Sequence, residues 1–414
     1  MRPPSPPPPT PPPPPEPITS RAVFPGYLQY CDVFLDYDND EMLTPTDTKD
    51  GGEFFEPSSV TDSLGGFTLD VFARNSASFA KVIIKTYSNE GCVDSFTKTK
   101  PGMLALRAPM HASVITPLTT VAVEIASVYL ITVERAAELI LESLGLTEES
   151  IDSDLIFNVD PFQKLVIDGD DSLATVAYAS VNLANAISMV SSLLHGAGTS
   201  SKTEAEAATL SAFAKRIGET NLVLRKKRRM LLGEYHAKSF LNMSDSSDIS
   251  SIISSAVSLV SRTNPDVRVD TETKNTVARA SAMASSYLLS AVSNTTSNNS
   301  GEEISKRCAA AVKVMQDPEL LEAVVDLGKE KSAATTAIIT DLEFAYSEKF
   351  ETAKASVLVL IPEYPPPPSP PSLPPPSTPA LTFEISGATA LLNHVTWTIW
   401  LSFTLALAAS WREH

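Results

Sequence analysis

The chain has 414 residues, and its 32 Lys and Arg against 49 Asp and Glu give a formal charge of −17. This acidic balance excludes a nucleic-acid-binding protein, because affinity for a phosphate backbone requires a basic face. Hydrophobic residues make up 43% of the chain, enough for a core. The sequence contains no HExxH, GxSxG, Walker A or GxGxxG motif, so we expect a protein that is not an enzyme.

The N-terminal tail, residues 1–19, is dominated by proline, with 12 prolines among residues 1–17. Such a sequence buries almost nothing and adopts an extended polyproline II rod, a spacer or a docking ligand. No apolar stretch of a secretory signal peptide is visible here. Either the sequence begins after the true N-terminus, or the body of the protein is cytosolic.

Residues 20–117 are predicted to form a small β-domain. Short runs of alternating or β-branched residues, bounded by Gly, Pro, Asn or Asp, recur at residues 27–35, 66–72, 80–87 and 103–108. Cys31 and Cys92 also lie in this region. They form a disulfide if the chain is secreted, or else remain two unrelated buried thiols, and Cys308 is left free.

Residues 32–70 contain eleven Asp or Glu and a single cation, Lys49. Acidic crowding of this density is costly unless a cation or water screens the charges. Asp36, Asp38 and Asp40 alternate directly after an apolar strand. Alternating carboxylates on a tight loop can face one point and supply the hard oxygen ligands that Ca²⁺ prefers.

The loop departs from the EF-hand pattern at two positions. The twelfth position counted from Asp36 is Asp47 rather than a bidentate Glu, and Glu41 stands where the EF-hand turn needs Gly. The carbonyl of Met42 is a natural fourth donor. A solvated acidic loop without a metal accounts for the same residues equally well, so both interpretations stay open.

The segments 33–40 (VFLDYDND) and 56–71 (EPSSVTDSLGGFTLDV) resemble the pattern V-F-x-D-x-N-x-N, GEP and T-D-x-x-G-x-F-x-L of extracellular β-modules in bacterial surface proteins and adhesins. Further matches follow in order at residues 91–94, 115–120 and 160–162. The resemblance covers residues 26–195. It implies a β-sandwich-like module with a helical companion, displayed outside the cell and often holding Ca²⁺ in the acidic loop.

Relative to that pattern, an insertion at residues 41–55 interrupts the metal loop. The sequence therefore does not determine which residue is the last ligand, the one that closes the loop around the metal. Its candidates are Asp47, Asp50, Glu53 and Glu56, of which Glu56 matches the GEP corner. The predicted cofactor is Ca²⁺, and its predicted ligands are Asp36, Asp38, Asp40 and Glu56.

Residues 118–361 are predicted to form an α-helical bundle whose Ala and Ser content favours close helix contacts. Apolar residues recur with a period near 3.6 on two stripes, Leu183, Ile187, Val190 and Leu194, and Ile339, Leu342, Tyr346, Phe350 and Ala353. Breaks between helices are predicted at residues 196–201, 264–265, 293–301 and 317–318.

Three polar features of this helical region are open to functional interpretation. His195 is best explained as a residue at a helix C-terminus, where the macrodipole favours it. Residues 168–171 (DGDD) form a turn before a helix more simply than a cation site. The basic run 225–229 (RKKRR) is a solvated helix face, or else an import signal, a lipid-binding patch or a processing site.

Residues 362–384 form a second proline-rich tract, a linker to the hydrophobic segment 385–414. The 27 residues 385–411 carry no charge and are long enough to cross a bilayer as a helix. Small residues at 386–388 also suit attachment of a GPI anchor. We expect membrane attachment through this segment.

The SPPPP-type runs of both tracts resemble the hydroxyproline-rich, pherophorin-like glycoproteins of green-algal cell walls. Three Asn-x-Ser/Thr sequons, at Asn242, Asn294 and Asn298, fit a secreted body. We therefore expect a membrane-anchored cell-surface or cell-wall protein, structural or adhesive, whose partners are matrix or cell-wall glycans or proteins. The alternative is a cytosolic tail-anchored adaptor whose proline tracts recruit profilin, SH3 or WW domains.

Overall fold

The computed structural model describes residues 16–43, 56–70, 81–86, 91–102, 104–144, 152–168, 173–230, 243–293, 300–329, 337 and 347–359. Within these ranges, the side chains of residues 168, 220–230 and 290–293 are not described. The chain divides into two units, Met1–Pro362 and Glu363–His414, and all described residues belong to the first.

The described strands form two sheets. The first has the order β5-β1-β2-β7, with β9 parallel to β1; its strands are β1 (Ile18–Phe24), β2 (Gly26–Gln29), β5 (Gly66–Leu69), β7 (Val93–Asp94) and β9 (Val114–Ile115). The second is antiparallel, with the order β4-β3-β6-β8; its strands are β3 (Asp32–Asp36), β4 (Ser58–Val60), β6 (Lys81–Lys85) and β8 (Ala105–Pro109).

The chain passes from the first sheet to the second within one apolar run. Residues 27–35 were expected to form a single strand, but the run divides into β2 and β3. Tyr30, between them, has φ 57°, a left-handed conformation that no strand residue adopts. Cys31 follows and forms a disulfide with Cys92, which precedes β7. A turn hidden in a hydrophobic run carries no Gly or Pro signal, which is why the pattern missed it.

The register of the second sheet determines the surroundings of the acidic loop. Asp36 is the last residue of β3 and pairs with Lys81, the first residue of β6. Lys81 pairs in turn with Pro109 at the end of β8. The three strands therefore bring the start of the acidic loop next to a lysine from the neighbouring strand.

Helices follow the strands. Their bounds are α1 Pro117–Tyr129, α2 Val133–Ser143, α3 Asp154–Phe157, α4 Pro161–Gln163, α5 Ala174–Gly196, α6 Lys202–Met230, α7 Ser246–Val260, α8 Thr271–Ser293, α9 Gly301–Met315 and α10 Pro318–Lys329. A π-helical turn, Lys164–Asp168, continues α4, and residues 347–356 are also helical. Each of the four predicted breaks falls at a junction between two consecutive helices, and residues 264–265 lie within the connection between α7 and α8.

A capping box fixes the N-terminus of α1. Thr116 Oγ1 accepts the N–H of Thr119 at 3.3 Å, and Thr119 Oγ1 accepts the N–H of Thr116 at 3.0 Å, which completes a reciprocal capping box. Pro117 occupies the first helical turn, where its missing N–H costs nothing.

Helix α5 lies at the centre of the helical region. The predicted stripe Leu183, Ile187, Val190 and Leu194 is fully buried, and so are most residues on the other faces of the helix. By length and composition alone α5 could cross a membrane, yet almost all of it is buried within the protein, as in a core helix.

Strands and helices contribute to one continuous hydrophobic core, which includes Val33 and Leu106 from the second sheet and Val121 and Leu183 from helices. The protein is thus a mixed α+β fold, as the sequence predicts. The proline-rich linker 362–384, the hydrophobic segment 385–414 and the three sequons lie outside the described residues.

Candidate metal centre in the acidic loop

Three of the four predicted metal ligands come together. Asp36, Asp38 and Asp40 each offer a carboxylate oxygen, and these oxygens all lie within 4.8 Å of one another. Asp36 is buried at the end of β3, whereas Asp38 and Asp40 are exposed on the loop that follows. The spacing of two residues between them places all three on one side of the loop.

Backbone donors fix the orientation of these carboxylates. Asp36 Oδ1 accepts the N–H of Asn39 at 2.7 Å, and Asp38 Oδ1 accepts the N–H of Asp40 at 3.1 Å. Asp40 Oδ1 accepts the N–H of Met42 at 2.6 Å. Asn39 has φ 64°, a left-handed conformation that asparagine tolerates better than most residues. The loop is therefore a series of Asx turns that hold the three carboxylates in place.

The donor set fits a hard divalent cation. A carboxylate offers about four lone-pair sites. Asp38 and Asp40 accept one backbone hydrogen bond each and Asp36 accepts two, from Asn39 and Glu41, so all three keep lone pairs for a metal. Ca²⁺ takes about six to eight oxygen ligands, and the three aspartates supply three or more of them. Burial raises the pKa of Asp36, and Lys81 with the N–H groups of Asn39 and Glu41 offsets this only in part. A bound cation would lower that pKa.

Lys81 shares the space beside Asp36. Its Nζ lies 3.5 Å from Asp36 Oδ2 and 3.2 Å from Glu41 Oε1. This ammonium already neutralises part of the negative charge on the sheet side of the loop. A metal would therefore approach from the side of Asp38 and Asp40, which faces solvent.

Glu41 anchors the end of the described loop to the second sheet. It has φ 59°, and its carboxylate accepts hydrogen bonds from both Nε and Nη2 of Arg107 on β8, at 2.9 and 2.6 Å. Burial raises the pKa of Glu41, but Arg107 and Lys81 outweigh burial and bring it to about 2. The sequence identified Glu41 only as a departure from the EF-hand glycine, and the structure gives it a structural role.

The ion pairs continue from the sheet into the helical region. Arg107 is only 2% exposed, and its Nη1 lies 3.2 Å from Oε1 of Glu206, a residue of α6 that is 0% exposed. The same oxygen accepts the N–H of Ala105 at 2.8 Å. Glu206 Oε2 is buried with no hydrogen-bond partner among the described residues. Burial raises the pKa of Glu206 above the usual glutamate range despite Arg107.

Glu56, the fourth predicted ligand, is not part of the aspartate group. It is 2% exposed, and its Oε1 accepts the N–H of Tyr37 at 3.0 Å, so it supports the start of the loop. Asp47, Asp50 and Glu53, the other candidates for the closing ligand, lie outside the described residues.

Two further buried aspartates organise the first sheet. The carboxylate of Asp94 accepts the N–H groups of Gly26, Phe96 and Thr97 at 2.8 to 3.0 Å, which joins the β1–β2 turn to β7. Asp160 Oδ2 accepts the hydroxyl of Tyr27 at 2.9 Å. Both aspartates fall in segments of the surface-module pattern, and each also binds one residue far away in sequence, Gly26 for Asp94 and Tyr27 for Asp160.

The remaining predicted features are partly visible. His195 lies in the last turn of α5, as expected. Residues 225–229 continue α6, without described side chains. The side chain of Asp168 and residues 169–171 lie outside what the structure describes. Comparisons with protein-family models, curated proteins and solved structures found no match to this chain.

Proposed function

We propose that the chain is a non-enzymatic cell-surface or cell-wall protein, structural or adhesive, with a Ca²⁺-stabilised β-sandwich-like module displayed on proline-rich spacers. The observation that carries this proposal is the disulfide between Cys31 and Cys92. Disulfides form and persist in secreted and surface proteins and are rare in the cytosol, where thiols are kept reduced.

The position of the disulfide supports a structural role. Both cysteines are 0% exposed, and they join the connection between β2 and β3 to the segment before β7. The bond therefore fastens the point where the chain leaves the first sheet for the second. A buried bond of this kind stabilises a fold and is poorly placed for redox exchange with a partner.

The two described sheets support a sandwich-like arrangement. Their inward residues, such as Tyr27 from the first sheet and Val33 from the second, belong to one core. The helices that follow, packed around the buried α5, support a bundle. A small β-module with a helical companion is also what the resemblance to bacterial surface modules implies.

Calcium would act as a structural ion. Asp38 and Asp40 are exposed beside the buried Asp36, so their negative charges repel one another in the folded loop. A divalent cation would neutralise this repulsion and link the loop to the end of β3. Metal binding of this kind adds its free energy to the stability of the fold.

The proline-rich tracts and the hydrophobic segment 385–414 would display the folded body at the cell surface. Their compositions are those of stiff rods and of a membrane-attached segment. Partners of such a protein would be matrix or cell-wall glycans or proteins. The adaptor alternative places the body in the cytosol, where a buried disulfide is not expected.

Compartment and thiol state test the proposal together. In cells that produce the chain, we expect external trypsin to remove the body from intact cells. Without reduction, a maleimide-polyethylene glycol reagent should modify one cysteine of the denatured protein, since Cys308 is the only cysteine outside the disulfide. Protection of the body from trypsin, together with modification of three cysteines, would instead favour the alternative that the chain is a cytosolic tail-anchored adaptor.

A further inference from the structure

A cavity of about 430 Å³ lies where the segment before β8 meets the helical region. Lys100, Pro101 and Gly102 form one wall. The opposite wall comes from the end of α5, the start of α6, and α10 with the residue Gln316 just before it. Its volume is within the range of pockets that hold small organic ligands, about 300 to 1,000 Å³.

The rim of this cavity is positively charged, whereas the chain as a whole is negatively charged. Among the described lining residues, Lys100, Lys202 and Lys329 accompany a single acid, Glu322, so their formal charges sum to 3 − 1 = +2 in a chain of −17. Lys329 is 61% exposed and bridges to Asp326 at 3.0 Å, while Lys100 and Lys202 are exposed. Three lysines from three separate parts of the chain thus converge on one opening.

The interior of the cavity is apolar with a few fixed polar groups. Leu321 and Val325 of α10 supply apolar wall. Gln316 is 1% exposed, and its Oε1 accepts the N–H of Gly102 at 2.6 Å, which fixes the lysine-bearing segment against the helices. A few well-placed polar groups on an apolar lining are typical of ligand pockets.

His195 adds an unused hydrogen-bonding atom to the lining. It lines the cavity, and its Nδ1 is buried with no hydrogen-bond partner in the described part of the chain. Burial, together with Lys202 and Lys329, lowers the pKa of His195, which favours the neutral ring. A neutral imidazole offers one donor and one acceptor to a ligand.

We propose that this cavity binds a small organic anion, a carboxylate or sulfonate with an apolar body, whose charged group lies among Lys100, Lys202 and Lys329. The apolar body would contact Leu321 and Val325. This site is separate from the acidic loop and does not depend on the compartment of the protein.

The test uses the full chain and two probes of the same shape. Naphthalene-2-carboxylate carries the anion, and 2-(aminomethyl)naphthalene replaces it by a cation. We expect calorimetry to show saturable binding of the carboxylate with a dissociation constant of about 1 mM or below, typical of a ligand this small. The amine should bind at least about tenfold more weakly because the lysines repel it.

Matched variants assign binding to the cavity. Lys202→Gln with Lys329→Gln should weaken carboxylate binding about tenfold. Lys274→Gln with Lys306→Gln, which removes the same charge from helix surfaces outside the cavity, should leave it unchanged. Leu321→Trp, which fills the cavity and keeps the charge, should abolish binding. Equal binding of both probes, no saturable carboxylate binding, or equal losses in the two double variants would overturn the proposal.

Discussion

Arg107 donates two hydrogen bonds to the carboxylate of Glu41, from Nε at 2.9 Å and from Nη2 at 2.6 Å. This pair ties the end of the acidic loop to β8, one residue after the last aspartate of the candidate metal centre. Arg107 also contacts Glu206 on α6. The loop, the second sheet and the helical region are therefore connected through one buried guanidinium.

Glu41→Gln should destabilise the protein. Arg107 is 2% exposed and would lose its charged bidentate partner, while Glu206 would remain. Because Glu41 is 20% exposed, we expect a loss below that of a fully buried pair, about 2 kcal/mol in the free energy of unfolding by urea. Glu302→Gln removes an exposed partner of Lys306 and should cost less than about 1 kcal/mol. Equal losses in the two variants would contradict this account of the pair.

Glu206 should make stability fall as the pH rises above the usual glutamate range. Its pKa is raised in the folded state, so the native protein holds a proton that the unfolded chain has released. The unfolded state then binds fewer protons, and the free energy of unfolding decreases with pH. The glutamine of Glu206→Gln cannot titrate. The free energy of unfolding of this variant, relative to that of the unsubstituted protein, should therefore rise by about 1 kcal/mol or more between about pH 5 and pH 7.5. A difference that stays constant over this window would exclude a raised pKa at Glu206.

Removal of the disulfide should destabilise the fold strongly. The bond between Cys31 and Cys92 spans 61 residues, and closing a loop of that length stabilises by about 4 kcal/mol in the chain-entropy model. Cys31→Ala with Cys92→Ala should therefore cost about 2 to 4 kcal/mol in urea unfolding. Cys308→Ala, which deletes a buried thiol that forms no disulfide, should cost about 1 kcal/mol. If the double cysteine variant unfolds at the same urea concentration as Cys308→Ala, the disulfide does not stabilise the fold.

Close packing of α5 on α10 should make Gly196 intolerant of a side chain. A Cβ there would lie 1.8 Å from the carbonyl oxygen of Val325, a backbone atom that cannot move alone. Gly196→Ala should cost about 2 to 3 kcal/mol as overpacking. A Cβ at Gly66 would meet only the exposed carboxylate of Asp62, at 3.0 Å, and a side chain can shift where backbone cannot, so Gly66→Ala should cost clearly less, about 1 kcal/mol or below. Melting temperatures of the two variants check this difference.

The breaks between the described helices were predictable because their signals are local. Each predicted break falls at a junction between two consecutive helices, and TPLTT at residues 116–120 contains the capping box of α1. The strands were harder to predict. β4, β7 and β9 have only two or three residues, too few for a periodic pattern. The turn at Tyr30 lies within an apolar run.

The candidate site was predictable only in its local part. Asp36, Asp38 and Asp40 meet because they lie within five residues on one loop. The partnership of Glu41 with Arg107 joins residues 66 positions apart, and that of Arg107 with Glu206 joins residues 99 apart. A single sequence carries no signal for such pairs, because they depend on strand register and on the packing of α6 against the second sheet.

The central claim is that the aspartate loop binds Ca²⁺ and stiffens the module, and calorimetric titration of Ca²⁺ into the full chain tests it most directly. The key variant is Asp38→Asn with Asp40→Asn, because asparagine keeps an oxygen acceptor for each Asx turn and removes the charges. Asp62→Asn with Asp152→Asn is the matched control, since both are exposed acceptors of Asx turns elsewhere.

We predict saturable binding with a dissociation constant of about 10⁻⁴ to 10⁻³ M, the range of extracellular calcium modules. Ca²⁺ at about 100 times that constant should raise the free energy of unfolding by about 2.7 kcal/mol. The control should keep both effects and the key variant should lose them. No saturable heat at millimolar Ca²⁺, or equal binding by native protein and key variant, would contradict the account.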